Sequence, residues 1–231
     1  FQLDIKTFAI LSTLIGISLF LGSALQQVAL LHTDVANAAF FTIFYVPMVP
    51  IIVFLFKKKT IHWSVWPSVV LCLIGGYLLT NFYDATVRLG DGLVLIGALF
   101  WSTHIIFTGM IVSKFNLPLT IGALQTLIVS VLSFIIGLIY EEFIIDNIIK
   151  EIDSILYAGV LSGGFAFVLQ IYAQRNIAPA PAAIIFSLEG VFATIAAWFL
   201  LNQVLDINNI LGCCFILCGV LLSQLLPLMK K

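Results

Sequence analysis

Charge is what this sequence has least of. Only 9% of its 231 residues are Asp, Glu, Lys or Arg, against roughly a quarter in an ordinary soluble domain. With a net charge of −1 and no basic patch, the chain has no footprint for a nucleic-acid backbone, and nucleic acid is excluded as a partner. Several motifs are missing too. No Gly-x-x-x-x-Gly-Lys-Ser/Thr loop is present, so the chain does not itself hydrolyse ATP through a P-loop. His-Glu-x-x-His and Gly-x-Ser-x-Gly are absent, which leaves a membrane metalloprotease or a lipase-type hydrolase without support. Four cysteines lie in apolar runs (Cys72, Cys213, Cys214 and Cys218), and three of them share one helical stretch. They read as small buried hydrophobes, neither a disulfide framework nor a metal cluster. His32, His62 and His104 fall at three levels of the chain's membrane spans, which argues against haem ligation by a pair. No cofactor and no enzymatic activity are expected. There is also no starting methionine and no cleavable signal pattern at Phe1, so the N-terminus reads as other than the natural one.

What the sequence has instead is apolar length. It is 62% hydrophobic with a mean hydropathy of +1.19, more apolar surface than a soluble core of this size absorbs. Lipid must be the solvent for most of it. A bilayer core needs roughly 20 apolar residues per helix, and that length places spans near 8–31, 36–56, 63–82, 92–113, 117–139, 154–174, 178–201 and 210–229. The expected fold is therefore an all-α polytopic bundle of eight helices. The third span is the weakest, opening at Trp63 and Trp66 and ending at Asn81, residue types suited to the interface.

Charge placement supports that count. Eight spans put both termini on one face, with Lys6, Lys57, Lys58, Lys59, Lys114, Arg175, Lys230 and Lys231, while Arg88 and Lys150 alone fall opposite. That bias places both termini in the cytoplasm. Asp34, Asp84, Asp91, Glu141, Glu142, Asp146, Glu151, Asp153 and Asp206 fall outside. The segment 140–153 aligns Ile144, Ile145, Ile148, Ile149 and Ile152 on one face. It reads equally as a short helix on the outer membrane surface or as a solvated connector.

A shift of 143 residues aligns the first three spans with the last three without a gap. Gly16 meets Gly159, Gln27 meets Gln170, Ala39 meets Ala182, Ile52 meets Ile195 and Gly76 meets Gly219. The shift moves the chain by five helices, an odd number, so matched helices run in opposite directions. That is the inverted repeat of secondary transporters, with a site near the midplane. Spans four and five have no partners, which predicts a five-plus-five parent of ten helices. On that reading residues 1–82 form a first repeat lacking two helices, and 83–231 form a complete second one. The missing methionine favours truncation.

Short local patterns carry a family resemblance. In the first half they read Ala29-Leu30-Leu31-His32-Thr33, then Ala36 to Phe40, then Val46-Pro47-Met48-Val49. In the second half they read Ala178-Pro179-Ala180-Pro181-Ala182-Ala183, then Ser187-Leu188-Glu189-Gly190-Val191. With these the chain resembles the EamA-like branch of the drug/metabolite transporter superfamily over essentially its whole length. The family often has Leu-Glu-Pro-Val where Gly190 stands here. It often has Gly-Glu a dozen residues later, where this chain has Asn202-Gln203 and, in the first half, Lys59-Thr60. The resemblance implies ten helices, cytoplasmic termini, a bacterial inner membrane location and export or uptake of small metabolites or drugs without ATP, with export the direction expected.

Six residues are candidates for the substrate cavity or a proton site: Glu189, His104, Gln27, Gln170, Trp101 and Tyr45. Glu189 reads as the one formal charge deep in a span, so it should face the bundle interior or a wet cavity. The competing reading is a protonated glutamate that locks two helices. His104 shares a face with Trp101 and Thr108; it reads either as a proton partner of Glu189 or as a helix–helix hydrogen bond. Gln27 (with Gly16 and Ser23) and Gln170 (with Gly159, Gly163, Ala166 and Gln174) form repeat-related polar stripes. A third stripe, Gly122-Thr126-Ser130-Ser133, reads as packing. Pro47 and Pro50 should break or kink span two. Tyr45 and Trp101 are the aromatic candidates. The expected partners are the lipid bilayer and a small-molecule substrate, with a homo-oligomer left open. A non-transporting membrane scaffold with a transporter-like fold is the alternative.

Overall fold

The computed structural model describes residues 4–57, 60–80 and 86–229. Phe1, Lys58, Lys59, Asn81, Asp84, Lys230, Lys231 and the expected repeat boundary at 82/83 lie outside these. The described residues form helices joined by short connections, without a strand, as the sequence implies for a chain in lipid, where backbone groups must pair within their own segment. The helices are α1 Ile5–Ala29, α2 Val35–Thr42, α3 Tyr45–Lys57, α4 Val65–Leu79, α5 Leu89–Phe115, α6 Pro118–Tyr140, α7 Ile145–Lys150 and α8 Ile152–Leu156. A π-helical segment, Tyr157–Ala166, leads into α9 Phe167–Ala173, followed by α10 Pro179–Phe186, α11 Leu188–Leu201 and α12 Ile207–Met229.

Seven segments of the described residues are long and apolar enough to cross a membrane, and the protein is an integral membrane protein. α2 with α3, and α10 with α11, each make one of these. The expected third span is present as α4, only 15 residues long. At 1.5 Å per residue that is about 22 Å, short of a hydrocarbon core.

The chain forms two compact units. One holds residues 1–21 and 107–177, the other 22–106 and 178–231. The first unit has a core of Phe8, Leu11, Ile15, Ile111, Val112, Phe115, Ile121 and Ile171. Phe8 and Phe115 meet edge to face at 5.0 Å. Asp4 precedes α1 and accepts the Thr7 N–H at 3.1 Å, and Lys114 Nζ lies 3.3 Å from it. The Thr7 bonds, and then Lys114, hold its carboxyl below the usual range. Segment 140–153 contains only the short α7 and the start of α8, with its isoleucines exposed. Of the third stripe, Gly122 is buried against Val168 while Ser130 and Ser133 are exposed.

The second unit is organised on an antiparallel pair, α4 with α12. A Cβ placed on Gly212 would lie 2.7 Å from the Gly75 carbonyl oxygen, and one on Gly219 would lie 2.9 Å from that of Ser68. Partners rise along one helix as they fall along the other, so the two run in opposite directions. Without a hydrophobic force between helices in lipid, such close backbone approach is what holds a pair together. Under the 143-residue shift, α4 and α12 are the matched helices.

Candidate functional site

Both breaks in the membrane helices lie in the second unit, at matched positions. The first separates α2 from α3 at Ile43–Phe44, and the second separates α10 from α11 at Ser187. Shifting Phe44 by 143 gives Ser187, and shifting the first residue of α3, Tyr45, gives the first residue of α11, Leu188. The causes differ. Pro47 has no N–H to give the Ile43 carbonyl, the bond a continuous helix would need. The Ile43 oxygen instead accepts from Val46 N at 2.9 Å, a tighter turn. Pro50 is carried inside α3. In the second half Gly190 stands at the position matched to Pro47, and no proline acts. There Ser187 Oγ donates to the Ile184 carbonyl at 2.6 Å, and Gly190 N reaches the Ser187 carbonyl at 3.2 Å. Ser187 Oγ also lies 3.4 Å from Cys72 Sγ on α4.

Glu189 sits in the first turn of α11, where the helix end favours a negative group. It is crowded by protein atoms on most sides, yet its side chain keeps enough free surface to count as exposed. The Tyr45 hydroxyl, on the other broken helix, faces the Glu189 carboxyl. Tyr45 is 4% exposed, and its hydroxyl has no hydrogen-bond partner of ordinary length. Among the described residues no lysine, arginine or histidine acts on Glu189. A carboxylate faced by a hydroxyl and by no counter-charge is chemically disposed to accept a positive charge.

The other candidates are placed as follows. His104 is fully buried, and its ring meets Trp101 edge-on at 6.2 Å. The side chain that acts on Glu189 is Tyr45. Trp101 Nε1 donates to Gln26 Oε1 at 3.3 Å, while the neighbouring Gln27 is exposed. One residue along a helix is a turn of about 100°, and the bonded glutamine is the one the stripe did not select. Gln170 is half-buried in the first unit, one turn from the fully buried Gln174. A hollow of 440 Å³ at the α11–α12 turn, lined by Trp198, Asn202, Gln203, Val204, Leu205 and Ile210, carries no charge.

A second carboxylate of this unit is also held within a helix, at its end. Asp91, read as an outer loop acid, is 2% exposed and lies in the first turn of α5. Thr33 Oγ1 donates to its Oδ1, Asn37 Nδ2 donates to Oδ2 at 3.1 Å, and Arg88 N donates to Oδ2 at 2.7 Å. The last bond is one half of a capping box, which satisfies the backbone donor preceding the helix. Gly90 makes the approach possible, since a Cβ there would lie 2.7 Å from the Ala29 carbonyl oxygen. The sequence signal was an acid three residues after Arg88 at a helix start.

Comparison with known proteins agrees with this architecture. One solved crystal structure superposes with a TM-score of 0.81 over 96% of this chain and 78% of its own, at 14% identity, a likeness of fold. An uncharacterized transporter of Archaeoglobus fulgidus is 31% identical over 217 residues, 91% of this chain and 67% of its own length. The uncharacterized transporter YoaV of Bacillus subtilis is 25% identical over 141 residues, 61% of this chain; the chain spans 48% of that relative. The model of the EamA-like transporter family matches residues 88–225, and with the archaeal relative this establishes that the chain belongs to that family.

Proposed function

We propose that the protein is a secondary transporter that moves small metabolites or drugs by alternating access, without ATP, and that Glu189 is its proton or cation site. The observation that carries this is Glu189 itself: an accessible carboxylate at a helix break, faced by the buried Tyr45 hydroxyl and by no positive side chain. Charged groups are kept within membranes where function repays their cost. Broken helices at matched positions of two antiparallel repeats are the usual setting of a transporter's site. The antiparallel α4–α12 pair supports the inverted repeat and eight crossings in this chain. The lysine-rich face supports cytoplasmic termini in a bacterial inner membrane, and the family resemblance supports export. His104, Trp101, Gln27 and Gln170 are assigned to the surrounding cavity with less direct support.

Two measurements test the reading. A Glu189→Cys variant in membranes should react with a water-soluble thiol reagent, and vesicles containing the protein should take up at least one compound of a labelled metabolite panel under an imposed ion gradient. An unreactive Cys at 189 together with no uptake across the panel would favour the scaffold reading instead.

A further inference from the structure

The broken span formed by α2 and α3 lies along one face of α5, within the second unit. That face carries Asp91, Val94, Ala98 and Ser102, spaced at three and four residues and all buried. At its start Asp91 accepts from Asn37 Nδ2 on α2, which lies 3.1 Å from Oδ2 and 3.3 Å from Oδ1. One turn on, Val94 packs with Ala38 of α2 and Ala29 of α1. Three turns on, Ser102 Oγ lies 3.5 Å from the carbonyl oxygen of Tyr45, the first residue of α3. α5 is unbroken over this stretch of about 16 Å. A continuous helix therefore touches the broken one on both sides of its break.

The lengthwise placement of so short a helix needs a directional contact. α2 has eight residues, too few to be stable as a helix by itself. Lipid supplies no hydrophobic force that presses apolar faces together, so apolar contact alone permits sliding. Asn37 is 1% exposed, and its amide reaches the Thr86 carbonyl oxygen at 3.0 Å as well as Asp91. A slip of α2 and α3 by one turn would break these bonds and carry Tyr45 about 5.4 Å along α5, away from the Glu189 carboxyl. The residue matched to Asn37 in the second broken span is Ala180, which has no side-chain donor, so this hold belongs to the first break. We propose that Asp91 and Asn37 are positioning residues: their hydrogen bond sets the register of the broken span on α5 and so places the Tyr45 hydroxyl against Glu189. The consequence for uptake rests on the transporter reading above; the placement itself does not.

Cross-linking tests the placement without reading transport. With the four native cysteines replaced by alanine, a site pair carries Tyr45→Cys and Glu189→Cys. A control pair carries Leu79→Cys and Asn209→Cys across α4 and α12, where the Asn209 amide lies 3.4 Å from the Leu79 carbonyl oxygen. A short bifunctional thiol reagent is applied in native membranes, alone and with Asn37→Leu or Thr33→Val added. Asn37→Leu keeps the side-chain volume and loses the bond. It should lower cross-linking of the site pair at least about five-fold and leave the control pair linked, which certifies folding. Thr33→Val also takes a donor from Asp91 but leaves Asn37 bonded. It should leave the site-pair yield within about two-fold of the parent. If Asn37→Leu does not fold, Asn37→Ser, too short to reach Asp91, takes its place with the same expected outcomes. An equal fall in Thr33→Val would mark general loosening and overturn the proposal. An unchanged site-pair yield in the Asn37 variant overturns it too, and leaves the transporter reading standing. Uptake of the labelled metabolite panel is read separately, with Tyr45 and Glu189 in place. Uptake unchanged by Asn37→Leu, although the site-pair yield falls, would sink the assignment of Tyr45 and Glu189 to the transport site and leave the positioning intact.

Discussion

Two carboxylates lie within membrane helices of the second unit, and their surroundings are opposite. Asp91 is sealed and saturated: Thr33, Asn37 and the Arg88 N–H all donate to it. Glu189 is open and nearly unpartnered, with one tyrosine hydroxyl before it. Both occupy the first turn of a helix. A charge whose hydrogen-bonding capacity is used by its own fold holds structure together, and it has nothing left with which to bind. A charge kept open in a setting that penalises it is retained for another reason. The contrast separates architecture from function more sharply than the depth of either residue in the bilayer.

That contrast can be broken at several points. The largest effect is expected from Asp91→Ala, which takes their shared acceptor from the buried Thr33 and Asn37 side chains and the part-buried Arg88 N–H and should cost roughly 3 kcal/mol. Thermal unfolding in detergent should show a midpoint lower by about 10 °C. Removing one donor is milder: Thr33→Val should cost about 1.5 kcal/mol, because Asp91 keeps its other two bonds. Tyr45→Phe removes a hydroxyl whose one neighbouring group is the Glu189 carboxyl, so stability should change by less than about 1 kcal/mol. Any change it causes in uptake then reports on the site. The smallest effect is expected from Arg88→Ala. Its guanidinium pairs with Asp34 at 2.8 Å, but both side chains are about half exposed, and such pairs contribute about 0 to 1 kcal/mol. A larger loss from Arg88→Ala than from Thr33→Val would reverse the ranking on which the contrast stands.

Much of this was legible in the sequence, and the rest failed for identifiable reasons. Apolar runs gave the long helices because in lipid length and hydropathy nearly decide the matter. Pro47 announced the first break, which falls four residues earlier, where the missing N–H leaves the Ile43 carbonyl. The second break has no proline to announce it. Ser187 competes with the backbone through a side-chain bond, a use of serine that composition does not reveal. Here the repeat was the better guide, since Phe44 and Ser187 are matched. Asp91 was misplaced because the length rule began the span at residue 92, whereas α5 begins at Leu89. Trp101 and His104 do share a face, but the distance to Glu189 is set by tertiary packing, which helix periodicity does not encode.

The account stands most directly on Glu189→Gln, measured for uptake and for thermal unfolding in the same preparation. It predicts that ion-driven uptake falls to background while the unfolding midpoint stays within about 2 °C of the parent, since the carboxylate supports no network. A folded Glu189→Gln protein that transports as well as the parent would contradict it.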